Sequence, residues 1–280
     1  MNVHFDPLYG ALTDMQRWVP SPAHIMRRAA LLEAFSHFPP GRLLDAGCGA
    51  GRLLVDWDRL GHSGWGIDID PYSRDLAKTC ISDFGVAFDI SELPPHPETE
   101  QFDYLAIIEV LEHLEEPAAA LRDWLAHLKD GGIMIASVPA FSRLWDKSDE
   151  WAGHVQRFEP EAFTRLIEDS GLKVISSQLY GFPLANMTRV AGNISSALKM
   201  CRRGHHISRE EATKASGRDR STESTLKSIL FSKPLASLLR FGISLQRHYS
   251  RKQRGIGIIL VAKKEAKLQE KAKVHKEHTE

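Results

Sequence analysis

The sequence predicts an α/β protein whose mostly parallel sheet is covered by helices on both faces. Short apolar runs alternate with stretches of helical spacing between residues 42 and 140, and the glycine-rich turn Gly47-Cys48-Gly49-Ala50-Gly51 joins the first run to the first helix. Three aspartates, Asp45, Asp68 and Asp89, stand at the ends of successive runs, on the edge where open α/β sheets bind ligands.

Residues 1–40, with Trp18, Ile25, Ala29, Leu32 and Phe35 at near-helical spacing, are expected to form one or two amphipathic helices that end at Pro39-Pro40-Gly41. Arg42-Leu43-Leu44-Asp45 then reads as a short strand, and Leu53, Leu54, Trp57 and Leu60 mark a helix that stops at Gly61. Gly64 to Asp68 is the next strand, followed by a helix through Leu76 and a third strand, Val86 to Asp89. Tyr104 to Ile108 is a buried fourth strand, Pro117 to Leu128 its helix, and Ile133 to Val138 the fifth strand.

Residues 141–156 read as a loop or short helices, Phe163, Leu166 and Ile167 mark a helix, and Leu172 to Ile175 and Gly257 to Val261 are the last two strands. The stretch between those strands is too long for a simple connection. The expected division is an N-terminal helical lid over 1–40, an α/β core over 41–185, a basic helical insert over 186–254, a last core strand over 255–263 and a charged tail over 264–280.

Formal charge is zero overall but divided along the chain. Residues 1–198 hold 16 Lys/Arg and 28 Asp/Glu, so 16 − 28 = −12, whereas residues 199–254 hold 14 and 4, so 14 − 4 = +10. An acidic body argues against wrapping a nucleic-acid backbone, and a basic segment suits an anionic membrane, an acidic partner or the body itself. Three cysteines without ligand or disulfide spacing, the lack of an apolar run long enough for a membrane span and a start unlike a secretory signal lead to the expectation of a cytoplasmic protein. Oligomeric state is open.

Glycines at a strand end let the backbone approach a nucleotide-like ligand closely. The dinucleotide fingerprint would place its third glycine at Arg52, whereas here it falls at Gly51. Asp45, just before the turn, would repel a pyrophosphate but suits a cofactor carrying an ammonium and a sulfonium; it can equally order the loop by accepting backbone hydrogen bonds. Asp68 is placed to accept from both hydroxyls of a ribose. Asp89 and Ile90 are placed to frame a base, although Asp89 can also cap the next turn.

LLDAGCGAGRLL, GWGIDID, FDISELP, FDYLAIIEVLEHLEEP and LKDGGIMIASVPA, in that order, resemble the successive motifs of class I S-adenosylmethionine-dependent methyltransferases over roughly residues 42–140. The small-molecule type, the methyltransferase 11/12/23 group, is the nearest in pattern. The resemblance implies a Rossmann-like seven-stranded sheet with a helical insert before the last strand, and S-adenosyl-L-methionine as cofactor. It assigns the methionine part to Asp45, Gly47, Cys48, Gly49 and Gly51, the ribose to Asp68 with the adjoining Ile69, the adenine to Asp89 and Ile90, and the methyl-transfer side to Glu109 and Val110. It further implies methyl transfer to a small-molecule or lipid-like acceptor, most simply a hydroxyl. A cofactor-binding but catalytically silent scaffold, whose insert binds a partner, is the alternative of a different class.

His154, in Gly153-His154-Val155-Gln156-Arg157, is the candidate general base, with a structural loop role as its alternative. The chemistry requires no metal and none is expected, although Glu109-Val110-Leu111-Glu112-His113 is similar to a stretch that ubiquinone-pathway O-methyltransferases use to hold one. Trp145, Trp151, Tyr180 and Phe182 are expected near the mouth of the sheet, as an aromatic wall or as core of the insert. Arg17 and Trp18 are candidate lid residues. Leu226 to Tyr249 has the composition of a basic amphipathic helix pair, suited to a peripheral membrane contact or to packing on the acidic body.

Overall fold

The computed structural model describes residues 3–13, 20–189, 231–250, 252 and 254–265. Strands β1 (Val3–Asp6) and β2 (Gly10–Thr13) precede helix α1 (Pro22–Phe35); β3 (Arg42–Ala46), α2 (Arg52–Arg59), β4 (Ser63–Ile67), α3 (Pro71–Phe84) and β5 (Phe88–Ser91) follow in strict alternation. Next come β6 (Phe102–Ile108), α4 (Pro117–Leu125), β7 (Leu128–Pro139), α5 (Lys147–Ala152), α6 (Pro160–Asp169), β8 (Leu172–Tyr180), α7 (Lys233–Tyr249) and β9 (Gly257–Lys264).

Seven strands form one sheet in the order β5-β4-β3-β6-β7-β9-β8. Pairings from β5 to β7 are parallel and β9 runs antiparallel to both its neighbours. Strand order reverses between β3 and β6, so the carboxyl ends of these two strands flank the crevice where such sheets bind ligands. One core lies on each face, with Leu105, Ile107, Met134 and Leu260 in the first and Leu43, Trp57, Ile135 and Val261 in the second. Trp57 alone, fully buried, contributes about 3 kcal/mol of apolar burial.

Local chemistry sets the boundaries. Asp70 caps α3 by accepting from Ser73 N at 2.9 Å, Pro71 occupies the first turn, and Gly85 ends the helix in the left-handed region. Ser21 caps α1 in the same way, with Pro22 behind it.

The chain start differs from the expected helices: residues 3–13 form a hairpin, because Asp6 Oδ1 accepts from Leu8 N at 2.7 Å and Tyr9 N at 3.1 Å and folds an Asx turn. Arg28 fastens this hairpin to the body. Its guanidinium bonds both oxygens of Asp56 on α2, at 2.8 and 2.6 Å, and Nη1 donates to Pro7 O and Leu8 O. Arg17 and Trp18 lie outside the described residues. So do residues 190–230, which hold most of the expected insert, and the tail beyond residue 265. Within the insert, α7 is a single helix packed on α1. The last two strands are longer than expected, since they pair along nearly their whole length.

Candidate functional site

The turn after β3 is drawn under the sheet edge by two hydrogen bonds, from Gly47 N and Cys48 N to Ile67 O of β4, at 2.8 and 2.9 Å. Gly47 has φ 81°, and a Cβ there would stand 2.4 Å from Val110 Cγ2. At Gly51 a Cβ would meet the Ala77 backbone at 3.0 Å, so this glycine lets α2 and α3 approach. Gly49 instead faces open space, with nothing within 4 Å of an added Cβ. Asp68, at the tip of β4, accepts from Gly49 N at 3.0 Å and from Asp70 N at 2.9 Å. Burial pushes its carboxyl upward, and those two N–H groups oppose the shift.

Asp45 lies beneath the loop. It is 1% exposed and its Oδ2 accepts from Trp57 Nε1 at 3.0 Å. Burial pushes its carboxyl up to about 7, against the Trp57 bond and with Asp68 adding to the rise. Asp45 thus ties the end of β3 to α2 through the Trp57 indole. Cys48 packs over Gly66 with Ile90, and burial pushes its thiol well up. Ile69 is 69% and Leu93 72% exposed, an apolar ledge beside the ends of β4 and β5. Strand β5 continues two residues past Asp89, which stands exposed on this edge strand, while Ile90 is half-buried.

Glu109 follows β6 with φ 56°, and Phe141 follows β7 with φ 63°. These are the only non-glycine residues of positive φ among the described residues; backbone strain of this kind collects at functional sites. Three side chains clamp Glu109: Ser137 Oγ donates to Oε1 at 2.9 Å, Tyr180 OH to Oε1 at 3.2 Å, and Arg27 Nη1 lies 3.0 Å from Oε2. Burial works against the charge of Arg27, but Glu109 and Tyr180 hold its pKa above the ordinary value.

On the far side of β6 a short 3-10 turn, Leu111–His113, carries Glu112 inward with no exposure. Its main-chain carbonyl accepts from Val155 N at 2.8 Å, yet neither carboxyl oxygen has a hydrogen-bond partner. Oε1 lies 3.9 Å from His154 Nε2, and the rings of His113 and His154 meet edge to face, centroids 4.8 Å apart. Burial, with Glu109 nearby, raises the Glu112 carboxyl well above its usual range. Burial lowers the His113 imidazole to about 4, so that it stays neutral. Behind His154, fully buried Asp149 accepts from His154 Nδ1 at 2.8 Å and from Arg157 Nε at 2.9 Å. Burial would raise Asp149, but these two donors hold it below the ordinary value.

Residues 15–177 match the family described as a methyltransferase domain. The chain belongs to the methyltransferase-domain family. A ubiquinone biosynthesis O-methyltransferase of Cereibacter sphaeroides is 37% identical over 99 residues, 34% of this chain and 40% of that relative. One from Bradyrhizobium is 35% identical over 109 residues, 37% of this chain and 41% of the relative. The match thus spans about two fifths of these relatives. Among solved structures, coclaurine N-methyltransferase bound to N-methylheliamine and SAH superposes with a TM-score of 0.51 at 16% identity, over 85% of this chain and 72% of that one. The 4+2 cyclase SpnF gives 0.52 at 18%, over 94% and 89%. At such identity the superpositions establish the fold, and a fold hosts more than one chemistry.

The methyl donor used by this family is S-adenosylmethionine. The methyltransferase-domain loop leaves room for it: there is open space over Gly49, a carboxylate at Asp68, and Ile69 and Leu93 stand exposed past the ends of β4 and β5. Glu109 and Val110 follow β6 and His154 lies in the connection after β7; nothing in the sequence pointed to Arg27 and Ser137, which contact Glu109, or to Asp149, which bonds His154. The expected aromatic wall is dispersed. Tyr180 bonds Glu109, Phe182 packs on Tyr249 of α7, and Trp145 is 39% exposed.

Proposed function

We propose that the protein transfers a methyl group from S-adenosylmethionine to a hydroxyl of a small or lipid-like acceptor, with His154 as general base. One observation carries the reading: the segment Glu109–His113 touches both halves of the site. Val110 packs against Gly47 of the cofactor turn, and Glu112 bonds Val155 and borders His154. S-adenosylmethionine supplies, when bound, a methyl group already activated by a positive sulfur, so the protein's contribution is alignment, exclusion of water and removal of one proton.

Asp68 holds the ribose hydroxyls and the Ile69–Leu93 ledge covers the base. The Arg27–Glu109–Tyr180 clamp fixes the end of β6 beside the transfer site. Asp149 keeps the proton of His154 on Nδ1, which leaves Nε2 to accept the proton of the acceptor hydroxyl. The names of the curated relatives support O-methylation as the class of reaction.

The unpartnered carboxyl of Glu112 favours a second reading of the same corner. Glu112, His113 and His154 offer ligand atoms that all lie within 4.8 Å of one another, and a carboxylate with two imidazoles suits a divalent cation. Bound there, a cation would acidify a hydroxyl, the task otherwise given to His154.

Calorimetric titration with S-adenosylhomocysteine tests the cofactor half. The protein binds it at micromolar level, and Asp68→Ala weakens binding by about 1–3 kcal/mol through unpaired ribose hydroxyls. A folded protein that takes up no ligand overturns the reading and leaves the silent scaffold in its place.

A further inference from the structure

We propose that the outer face of α7, with the basic segment after it, docks on an anionic lipid surface. The helix is anchored inward through Leu239, Gly242 and Gln246. A Cβ on Gly242 would lie 3.0 Å from Leu184, so helix and body are in close contact there. Gln246 locks the register: Nε2 donates to Met26 O at 3.0 Å and Oε1 accepts from Gly181 N at 2.6 Å. The side turned away leaves Leu238 48% and Phe241 64% exposed, and Lys233, Arg240 and His248 are exposed with them. Cations alone would be an ordinary solvated face. Large apolar side chains set among cations make an interfacial helix, whose apolar groups enter the headgroup boundary while the charges meet lipid phosphates.

Charge selects the occupant. From Ser224 to Lys264 the sequence contains no Asp or Glu and nine Lys or Arg, whereas residues 1–198 carry a formal −12. An anionic bilayer attracts this region and repels the acidic body of residues 1–198, which fixes the orientation of approach. Arg247 is engaged with Glu33 at 2.8 Å. Lys233 and Arg240 belong to the outer face, and Lys252 and Arg254, stacked on Tyr249 and Phe182, to the segment after it.

The surface also lies where a membrane would be useful. Gly257, the first residue of β9, pairs with Pro139 and Tyr180, the carboxyl ends of β7 and β8. Lys252 and Arg254 therefore sit on the ligand edge of the sheet, and a bilayer held there lies beside the mouth of the site, within reach of an acceptor dissolved in it. The surface does not depend on the methyl-transfer reading, because cofactor binding and vesicle binding are measured separately.

Flotation of the full chain with vesicles of phosphatidylcholine alone, or of phosphatidylcholine mixed with phosphatidylglycerol, tests the proposal. The wild type floats with the mixed vesicles, weakly or not at all with the neutral ones, and is released by high salt. Arg240→Glu, which removes one cation and adds one anion, lowers partitioning more than the roughly fivefold that a single lost surface charge costs. The pair Leu238→Ser and Phe241→Ser lowers it at least tenfold. Unchanged S-adenosylhomocysteine binding in each variant confirms that it is folded. A wild type that does not float with the mixed vesicles, one that floats equally with both kinds, or variants that float as it does, each overturns the proposal.

Discussion

Asp149 Oδ1 lies 2.8 Å from His154 Nδ1 and is shared with Arg157 Nε at 2.9 Å. A buried carboxylate held ionised behind an imidazole fixes which ring nitrogen carries the proton, and so which one is free to react. Asp149 also closes the capping box of α5, so α5 and the His154 ring are oriented by the same side chain.

Replacing His154 by Gln lowers kcat by about 10²–10⁴ for a hydroxyl acceptor, the usual worth of a positioned base. S-adenosylhomocysteine binding is unchanged. Asp149→Asn has a smaller effect on kcat and leaves KM alone, and the pH dependence of kcat/KM flattens in the His154 variant. A His154 variant with the wild-type rate and pH profile removes the base from the mechanism.

Chelation separates the two readings of the Glu112 corner. If His154 is the base, extensive treatment with a chelator leaves turnover intact. If Glu112, His113 and His154 hold a divalent cation, chelation abolishes turnover and Glu112→Gln abolishes cation binding by calorimetry. Burial holds the Glu112 carboxyl protonated well above its ordinary range. Binding a cation must displace that proton, so affinity rises with pH and the titration releases protons.

Gly47→Ala places a methyl 2.4 Å from Val110 Cγ2 at a backbone φ of 81°. The expected cost is about 2 kcal/mol of stability, roughly half from the left-handed backbone and half from the clash. Adding Val110→Ala recovers the second part, so a denaturant double-mutant cycle gives a favourable coupling. Strict additivity would mean that the two residues do not press on one another.

Asp45 links stability to pH. Its folded carboxyl is raised to about 7 from an ordinary 3.8. Between these values the folded state holds a proton that the unfolded chain has lost, so its contribution is complete below the lower value and is lost as pH rises through the higher. Asp45→Asn keeps an acceptor for the Trp57 indole and removes the titration. The variant gains on the wild type by about 4 kcal/mol at pH 8 and by less than about 1 kcal/mol near pH 4, as measured by thermal unfolding without cofactor.

Local pattern made much of the site legible. The glycines at 47, 49 and 51, Asp68 at the next strand tip and Glu109 after the strand at the switch point each lie within a few residues of a strand end, where side-chain period and turn chemistry announce it. The N-terminal hairpin also had a local signal, Asp6-Pro7 ahead of Gly10, that near-helical spacing further along the chain obscured. By contrast, Glu109 meets Tyr180 across 71 residues and Ser137 across 28, and no spacing rule marks such pairs. Asp149 likewise lay in a run of charges where nothing distinguished the buried acid from its exposed neighbours.

The sequence by itself determined the alternation of strand and helix, the glycine-rich turn and the acids beside it, because these depend on periodicity and on backbone conformations that only certain residues adopt. Tertiary structure alone decided which acids are exposed and which are buried. Asp45 went under the loop to Trp57, Asp68 to the amides of Gly49 and Asp70, Asp149 behind His154, and Glu112 into the interior beside His154 with no hydrogen-bond partner for its carboxyl. The charge state of a carboxyl depends on the water and the donors around it, and those are fixed only when other elements of the chain pack against it.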